Sequence, residues 1–279
     1  MTALPPATPE ALAAYFERLG YAGTPRADLD TLTALHRLHV EAIPFENLDV
    51  LLGRPTGRDP RAAHAKLVGA RRGGWCFESN GLFAWMLETI GFKVRRLAGA
   101  VMREQAGDVM IGNHLVLIVE LDRLYVADVG LGNGLVEPVP LEEGPIRQGF
   151  KQMALERLDA RWWRFRNSDG MMPPSFDFSL EVDDPALLDE RCQWLQRDAE
   201  SPFLKNAVLL CSRGGRFESL VGPLHTTYSA AGADTRTIAD AAAYAATLRD
   251  RFGLSLGEAE QLWPKVGAAA QPGNPAGAA

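Results

Sequence analysis

The stretch RRGGWCFESNGLFAWMLETIGF (residues 71–92) runs through a glycine turn, a cysteine, an amphipathic helix and a stop. Gly73 and Gly74 allow a tight turn and a close approach of backbone to a ligand. A helix is expected at or just after Cys76. It carries Leu82, Phe83, Met86, Leu87 and Ile90 at helical spacing and ends at Gly91. From Phe92 the apolar period switches to two. Lys93 to Met102, His114 to Glu120 and Leu124 to Val129 read as strands, with a polar loop at Arg103 to Gly112 and a turn at Asp122-Arg123. Phe150 to Leu158 and Arg161 to Arg166 read as a hairpin, and Phe176 to Glu181 as a strand closing the sheet. This section is expected to form a small antiparallel barrel or a strongly curved sheet.

Upstream the pattern is helical. Thr8-Pro9-Glu10 is an N-cap with proline at the first helical position, followed by Leu12, Tyr15, Phe16 and Leu19, and Gly20 as the stop. A second helix starts near Asp28, the stretch IPFENLDVLLGRP (residues 43–55) breaks the period, and a short third helix is expected at Ala62 to Val68. Downstream, Asp184-Pro185 caps a helix with Leu188, Cys192 and Leu195 on one face. Strands follow at Ala207 to Cys211 and Phe217 to Val221, then a helix from about Ile238 to Arg251. The order is helices, then strands, then a mixed section, an α+β chain. The divisions are 1–91 helical, 92–183 strands, 184–266 mixed, and a low-complexity tail at 267–279 expected to be disordered.

Composition narrows the function classes. The 279 residues suggest about two packing units or three small ones. With 47% hydrophobic and 23% charged residues the chain can bury a sizeable core. The net charge is −6 and no Lys/Arg block stands out, which argues against a nucleic-acid partner. No apolar run approaches the ~20 residues of a membrane span, and MTALPPATPEALAAYF lacks the layout of a signal peptide. The 3 cysteines cannot all pair, which points to a reducing compartment and a cytoplasmic location.

Three residues are candidates for chemistry. Cys76 sits at a helix start, where N–H groups carry roughly half a positive charge and favour the reactive thiolate; it reads equally as a small buried hydrophobe. Of the 5 histidines, His36 and His39 look structural or exposed, His64 lies in a helix-like surface stretch, and His225 in a Ser/Thr/Tyr-rich loop. His114 opens a strongly apolar strand, a place suited to a cleft or to a satisfied core imidazole. Asp128 ends the next strand and reads either as the acceptor that orients His114 or as a turn aspartate. Register separates the two. A two-residue turn at Asp122-Arg123 puts Asp128 on the face opposite His114, whereas a three-residue turn makes them diagonal neighbours on one face. A metal site on Cys76 and His114 lacks the CxxC or HxxxH spacing of structural zinc, and no metal is expected.

RGGWCFESN, a histidine 38 residues after Cys76 (114 − 76), and DVGLGN together resemble the arylamine N-acetyltransferases. IPFENLDVLLGR and Ser201-Pro202-Phe203 also look like that family's segments, and the likeness runs from about Thr8 to Trp263. Ser79 departs from the larger residue the family often places there. The resemblance implies a Cys-His-Asp triad on Cys76, His114 and Asp128. It also implies an N-terminal helical bundle, a central antiparallel β-barrel and a C-terminal α/β lid, with a core similar to papain-like and transglutaminase-like folds. It implies acetyl-CoA as co-substrate with no permanently bound cofactor, an arylamine or arylhydrazine as acceptor, xenobiotic metabolism, no membrane partner, and a monomer or homodimer. In this light the backbone of Gly130, Gly132 and Asn133 is placed to hold pantetheine or phosphate. Phe45 and Phe203 line the acceptor pocket or pack in the core, Glu46 pairs with an arginine such as Arg71 or Arg72, and Trp75 packs beneath the cysteine. Competing readings are an amide synthase closing a macrolactam, a papain-like hydrolase, and an inactive binder of CoA or aromatic ligands.

Overall fold

Capping residues set the first helices. The computed structural model describes residues 4–257 and 259–267. Thr8 caps α1 (Pro9–Leu19) by accepting from the Ala11 N–H, and Gly20 ends it in the left-handed region. Asp28 caps α2 (Leu29–Ala42) through the Thr31 N–H. The period-breaking stretch that follows holds a two-residue strand, β1 (Phe45–Glu46), and a short helix, α3 (Leu48–Leu51). Then α4 (Pro60–His64) continues into a π-helical turn over Ala65–Gly69.

The long helix α5 (Cys76–Ile90) begins at the cysteine and ends at Gly91. It is not amphipathic in its surroundings: every residue from Cys76 to Leu87 is buried. A helix covered on all sides is a central post. It packs against α4 and against the first strands of the barrel.

The sheet section contains β2 (Lys93–Val101), α6 (Arg103–Ala106), β3 (His114–Glu120), β4 (Leu124–Val126), β5 (Val139–Pro140), β6 (Gly144–Gln148), β7 (Lys151–Arg157), β8 (Trp162–Arg166) and β9 (Ser175–Ser179). The expected polar loop at 103–112 therefore contains a helical turn. The eight strands run in the order β5-β4-β3-β2-β9-β8-β7-β6, with every pairing antiparallel. The expected closing strand, β9, instead joins the two halves between β2 and β8. The two edge strands, β5 and β6, are separated by only residues 141–143, so the sheet curls back on itself into a nearly closed barrel. Gln148 stitches the seam, accepting from Val136 N–H at 2.6 Å and donating to Glu137 O at 2.8 Å.

The last section holds α7 (Pro185–Arg197), α8 (Pro202–Lys205), β10 (Val208–Arg213), β11 (Arg216–Val221), β12 (Leu224–Ser229), β13 (Gly232–Thr237), α9 (Ala241–Phe252) and α10 (Ala259–Gly267). Its five-stranded sheet runs β1-β10-β11-β12-β13 and so takes its first strand from Phe45 and Glu46 of the helical section. His225 lies on β12, not in a loop, and is buried against Glu218 with Nε2 and Oε2 2.8 Å apart. The expected tail at 267–279 falls outside the described residues, except for Gly267 at the end of α10. Among the described residues no helix is long and apolar enough to cross a membrane, and no group of three or more His, Cys, Asp or Glu could hold a metal ion.

Candidate active site

The turn before Cys76 needs glycine because the chain passes over itself. A Cβ on Gly73 would lie 2.4 Å from Pro44 O, and one on Gly74 would lie 3.0 Å from both Glu78 Oε2 and Leu67 Cδ1. Gly74 exchanges hydrogen bonds with Pro44 O and the Glu46 N–H, both at 3.1 Å. Pro44 and Glu46 take the space a Cβ would need at Gly73, and Glu78 and Leu67 take it at Gly74.

Cys76 occupies the first position of α5 and is buried. Its Sγ is 4.0 Å from Asn113 O, immediately before His114. His114 opens β3, and its Nε2 donates to Asp128 Oδ2 at 2.6 Å. A carboxylate only accepts, so Nε2 carries the proton and Nδ1 is left for other work. The β3–β4 register pairs Glu120 with Leu124 and Ile118 with Val126. This is the three-residue turn, the register that puts His114 and Asp128 on one face.

Asp128 is fully committed. Its Oδ1 accepts from Asn80 Nδ2 at 2.8 Å, from the Gly130 N–H at 2.8 Å and from the Leu131 N–H at 3.2 Å. Burial works to raise this carboxyl, but the charge and hydrogen bond of His114, helped by Asn80 and Gly130, hold it below the usual carboxylate range. For His114, burial alone would lower the imidazole. The charge and hydrogen bond of Asp128, together with a hydrogen bond with Cys76, override that and push it up to about 10. The ring also packs against Phe176, with centroids 5.1 Å apart.

The other expected site residues have specific places. The Gly130 N–H is spent on Asp128, and a Cβ there would lie 2.6 Å from Asn80 Nδ2. Gly132 has φ +83°, and its Cβ would meet Phe45 and Leu210, each at 2.8 Å. Asn133 is buried, donates to Met172 O at 2.6 Å and accepts from Asn167 Nδ2 at 3.0 Å. Gly130 and Asn133 thus spend these polar groups within the chain. Phe45, Phe203 and Trp75 form one aromatic cluster, with Phe203 centred 6.2 Å from Phe45 and 5.7 Å from Trp75. Arg72, not Arg71, pairs with Glu46, at 2.7 Å.

A family model described as N-acetyltransferase matches residues 28–261. The arylamine N-acetyltransferase of Escherichia coli (strain K12) is 31% identical over 263 residues, spanning 88% of this chain and 89% of that protein. The chain belongs to the arylamine N-acetyltransferase family. The Salmonella typhimurium arylamine N-acetyltransferase structure superposes with a TM-score of 0.84 at 30% identity, covering 94% of this chain and all of that one. That of Mycobacterium marinum in complex with CoA superposes at 0.82 and 29% identity, covering 91% and 98%.

Two parts of this family member's site escaped the sequence reading. Asn80 lies one helical turn after Cys76, so α5 aims both side chains to one side. It donates to Leu115 O at 2.6 Å as well as to Asp128, and its Oδ1 accepts from the Val129 N–H at 2.9 Å. The signal was an asparagine four residues past the cysteine on a helix. The other part is an ionic cluster behind the turn. Lys66, on the π-helical turn, lies 2.8 Å from Asp49 Oδ2 and 2.9 Å from Glu78 Oε2, while Arg72 contacts Glu46 and Asp49. Glu78 also accepts from the Trp75 N–H at 3.3 Å, which ties the cluster to the start of α5. Its members come from four segments; the pairing of Glu46 with an arginine was expected, and no sequence spacing announces the rest.

Proposed function

We propose that the protein transfers an acetyl group from acetyl-CoA to an arylamine or arylhydrazine by way of an acetyl-cysteine on Cys76. The observation that carries this reading is the buried His114, bonded through Nε2 to Asp128 and held high by that carboxylate and by a hydrogen bond with Cys76. Such an imidazole stays protonated at neutral pH, and an imidazolium beside a cysteine is what nucleophilic catalysis by a thiol needs.

The Cys76 thiolate attacks the thioester carbonyl. Backbone N–H groups near Cys76 hydrogen-bond the developing oxyanion. The carbon–sulfur bond to CoA breaks, the His114 proton passes to the departing thiolate, and acetyl-Cys76 remains beside a neutral imidazole. Exchanging one thioester for another is nearly neutral in free energy, so the intermediate persists. The arylamine nitrogen then attacks the acetyl carbon, gives its proton to His114, and the Cys76 thiolate leaves. The imidazolium–thiolate pair is restored. Aromatic amines suit this step because they are unprotonated near neutral pH, and the Phe45–Phe203–Trp75 cluster offers a ring-binding wall that keeps water away.

The test is a steady-state and mass-spectrometric pair. Parallel double-reciprocal lines and one added acetyl group on Cys76 after mixing with acetyl-CoA are expected, and Cys76→Ala is expected to abolish both. Normal turnover by Cys76→Ala refutes the reading. Ring closure of a tethered acyl-amine without transfer to free arylamines replaces it with the amide-synthase alternative.

A further inference from the structure

A cavity of about 280 Å³ lies where three parts of the fold meet. Its walls come from Glu41 near the end of α2, Glu137 and Arg147 beside the barrel seam, Lys151 at the start of β7, and Arg213 and Arg216 at the β10–β11 turn. Four cationic side chains face two acidic ones. Glu137 already has a cation, Arg37 at 3.5 Å, and Arg213 Nε donates to Glu41 O at 3.1 Å. The side chains of Arg147 and Arg216 have no hydrogen-bond or ion-pair partner among the described residues.

Lys151 is buried, with 2% of its surface exposed. Its ammonium donates to Asn133 O and Gly134 O at 2.9 Å each and to Ser212 Oγ at 3.2 Å. All three acceptors are neutral and its remaining neighbour is the Phe217 ring, 5.2 Å from the ammonium, so no anion balances its charge, and burial pushes it down to about 7. A buried ammonium and two unpaired guanidiniums on one cavity leave a local excess of positive charge. The planar fork of a guanidinium suits two oxygens of a phosphoryl group, which it can bind in bidentate fashion. The volume is at the small end for ligand pockets, enough for a phosphate and a small group esterified to it.

We propose that this cavity binds a phosphomonoester dianion, held by Arg147 and Arg216 with Lys151 behind them. It is not part of the acyl-transfer set at Cys76. It touches that set through the loop whose carbonyls Lys151 grips, which begins five residues after Asp128. The proposal goes beyond acyl transfer and does not depend on it.

The test is calorimetric titration of the full chain with inorganic phosphate at matched ionic strength, beside an Arg147→Ala/Arg216→Ala variant. Both arginines are exposed, so the variant is expected to keep the unliganded melting temperature. Saturable one-to-one binding that weakens about tenfold or more in the variant supports the site. Absence of saturable binding, or equal binding by both proteins, overturns it. A second arm separates sources of the group by comparing KM for acetyl-CoA and acetyl-dephospho-CoA, which lacks the 3′-phosphomonoester. A preference for acetyl-CoA that disappears in the variant assigns the group to the co-substrate. Unchanged KM values, with phosphate binding lost in the variant, assign it to a free phosphomonoester.

Discussion

Asn80→Leu removes polarity while keeping the branching of the side chain, and it isolates what holds Asp128 in place. The wild-type amide donates to Asp128 Oδ1 at 2.8 Å and to Leu115 O at 2.6 Å, and accepts from Val129 N–H at 2.9 Å. Leucine supplies none of these and leaves no space for a bridging water. The orphaned Val129 N–H costs about 1–3 kcal/mol, and the lost hydrogen bond to an ionised carboxylate about 1.5–3 kcal/mol. A total near 3–5 kcal/mol lowers the melting temperature by roughly 10 °C for a chain of this size. The second readout is functional. With one restraint gone, Asp128 holds His114 less firmly, so kcat/KM is expected to fall roughly tenfold or more, with the pH profile moving as well. Asn80→Ala, which admits water, should lose less stability. Unchanged melting temperature and unchanged kcat/KM in Asn80→Leu would refute the positioning role; a stability loss with an unaltered pH profile would leave Asn80 a purely structural residue.

Two more predictions follow from the buried imidazoles. Asp128→Asn removes the charge that raises His114, so its pKa should drop from about 10 toward the ordinary 6.5, followed by NMR of the ring, and kcat should fall by roughly 10³–10⁴-fold; a ring that still titrates near 10 contradicts the assigned cause. Acid should destabilise the fold through His36 and His39, which burial pushes down to about 4 and about 3. Both stay neutral in the folded chain and take up protons below about 6.5 when unfolded, so stability falls as pH drops. Between pH 7 and 5 each costs roughly 2 kcal/mol. His114 has the opposite sign, with its contribution fully present below 6.5 and lost as pH rises through about 10, and it returns roughly 1 kcal/mol over the same interval. The net loss is roughly 3 kcal/mol, and equal urea midpoints at pH 7 and pH 5 would exclude it.

Element types were legible where the burial pattern is regular. Strand β3 is apolar from Leu115 to Val119 and buried throughout, and α7 buries Leu188, Cys192 and Leu195 at the expected spacing. They failed where one side of an element has no core to face. Strand β13 is exposed at every residue and has no alternation to detect, so His225 on its neighbour looked like a loop residue. Strands β5 and β6 are short and carry prolines. The sequence left His36 and His39 as either structural or exposed, and packing decides for the first: both are fully buried beside Phe83.

The order of letters alone settled the local matters: which residues cap helices, where the period changes from helical to extended, and that a cysteine starts a helix after two glycines. These depend on contacts within a few residues, where the backbone's own hydrogen bonds and the absence of a Cβ decide the outcome. The folded chain alone decided the rest. It selected the three-residue turn that puts Asp128 on the face of His114, chose Arg72 over Arg71 for Glu46, and brought Asn80 and two loop N–H groups to one carboxylate oxygen. It also gathered Arg147, Lys151, Arg213 and Arg216 around one cavity. Those outcomes depend on strand register and on packing between distant segments, and a one-residue slip would send every side chain of a strand to its other face.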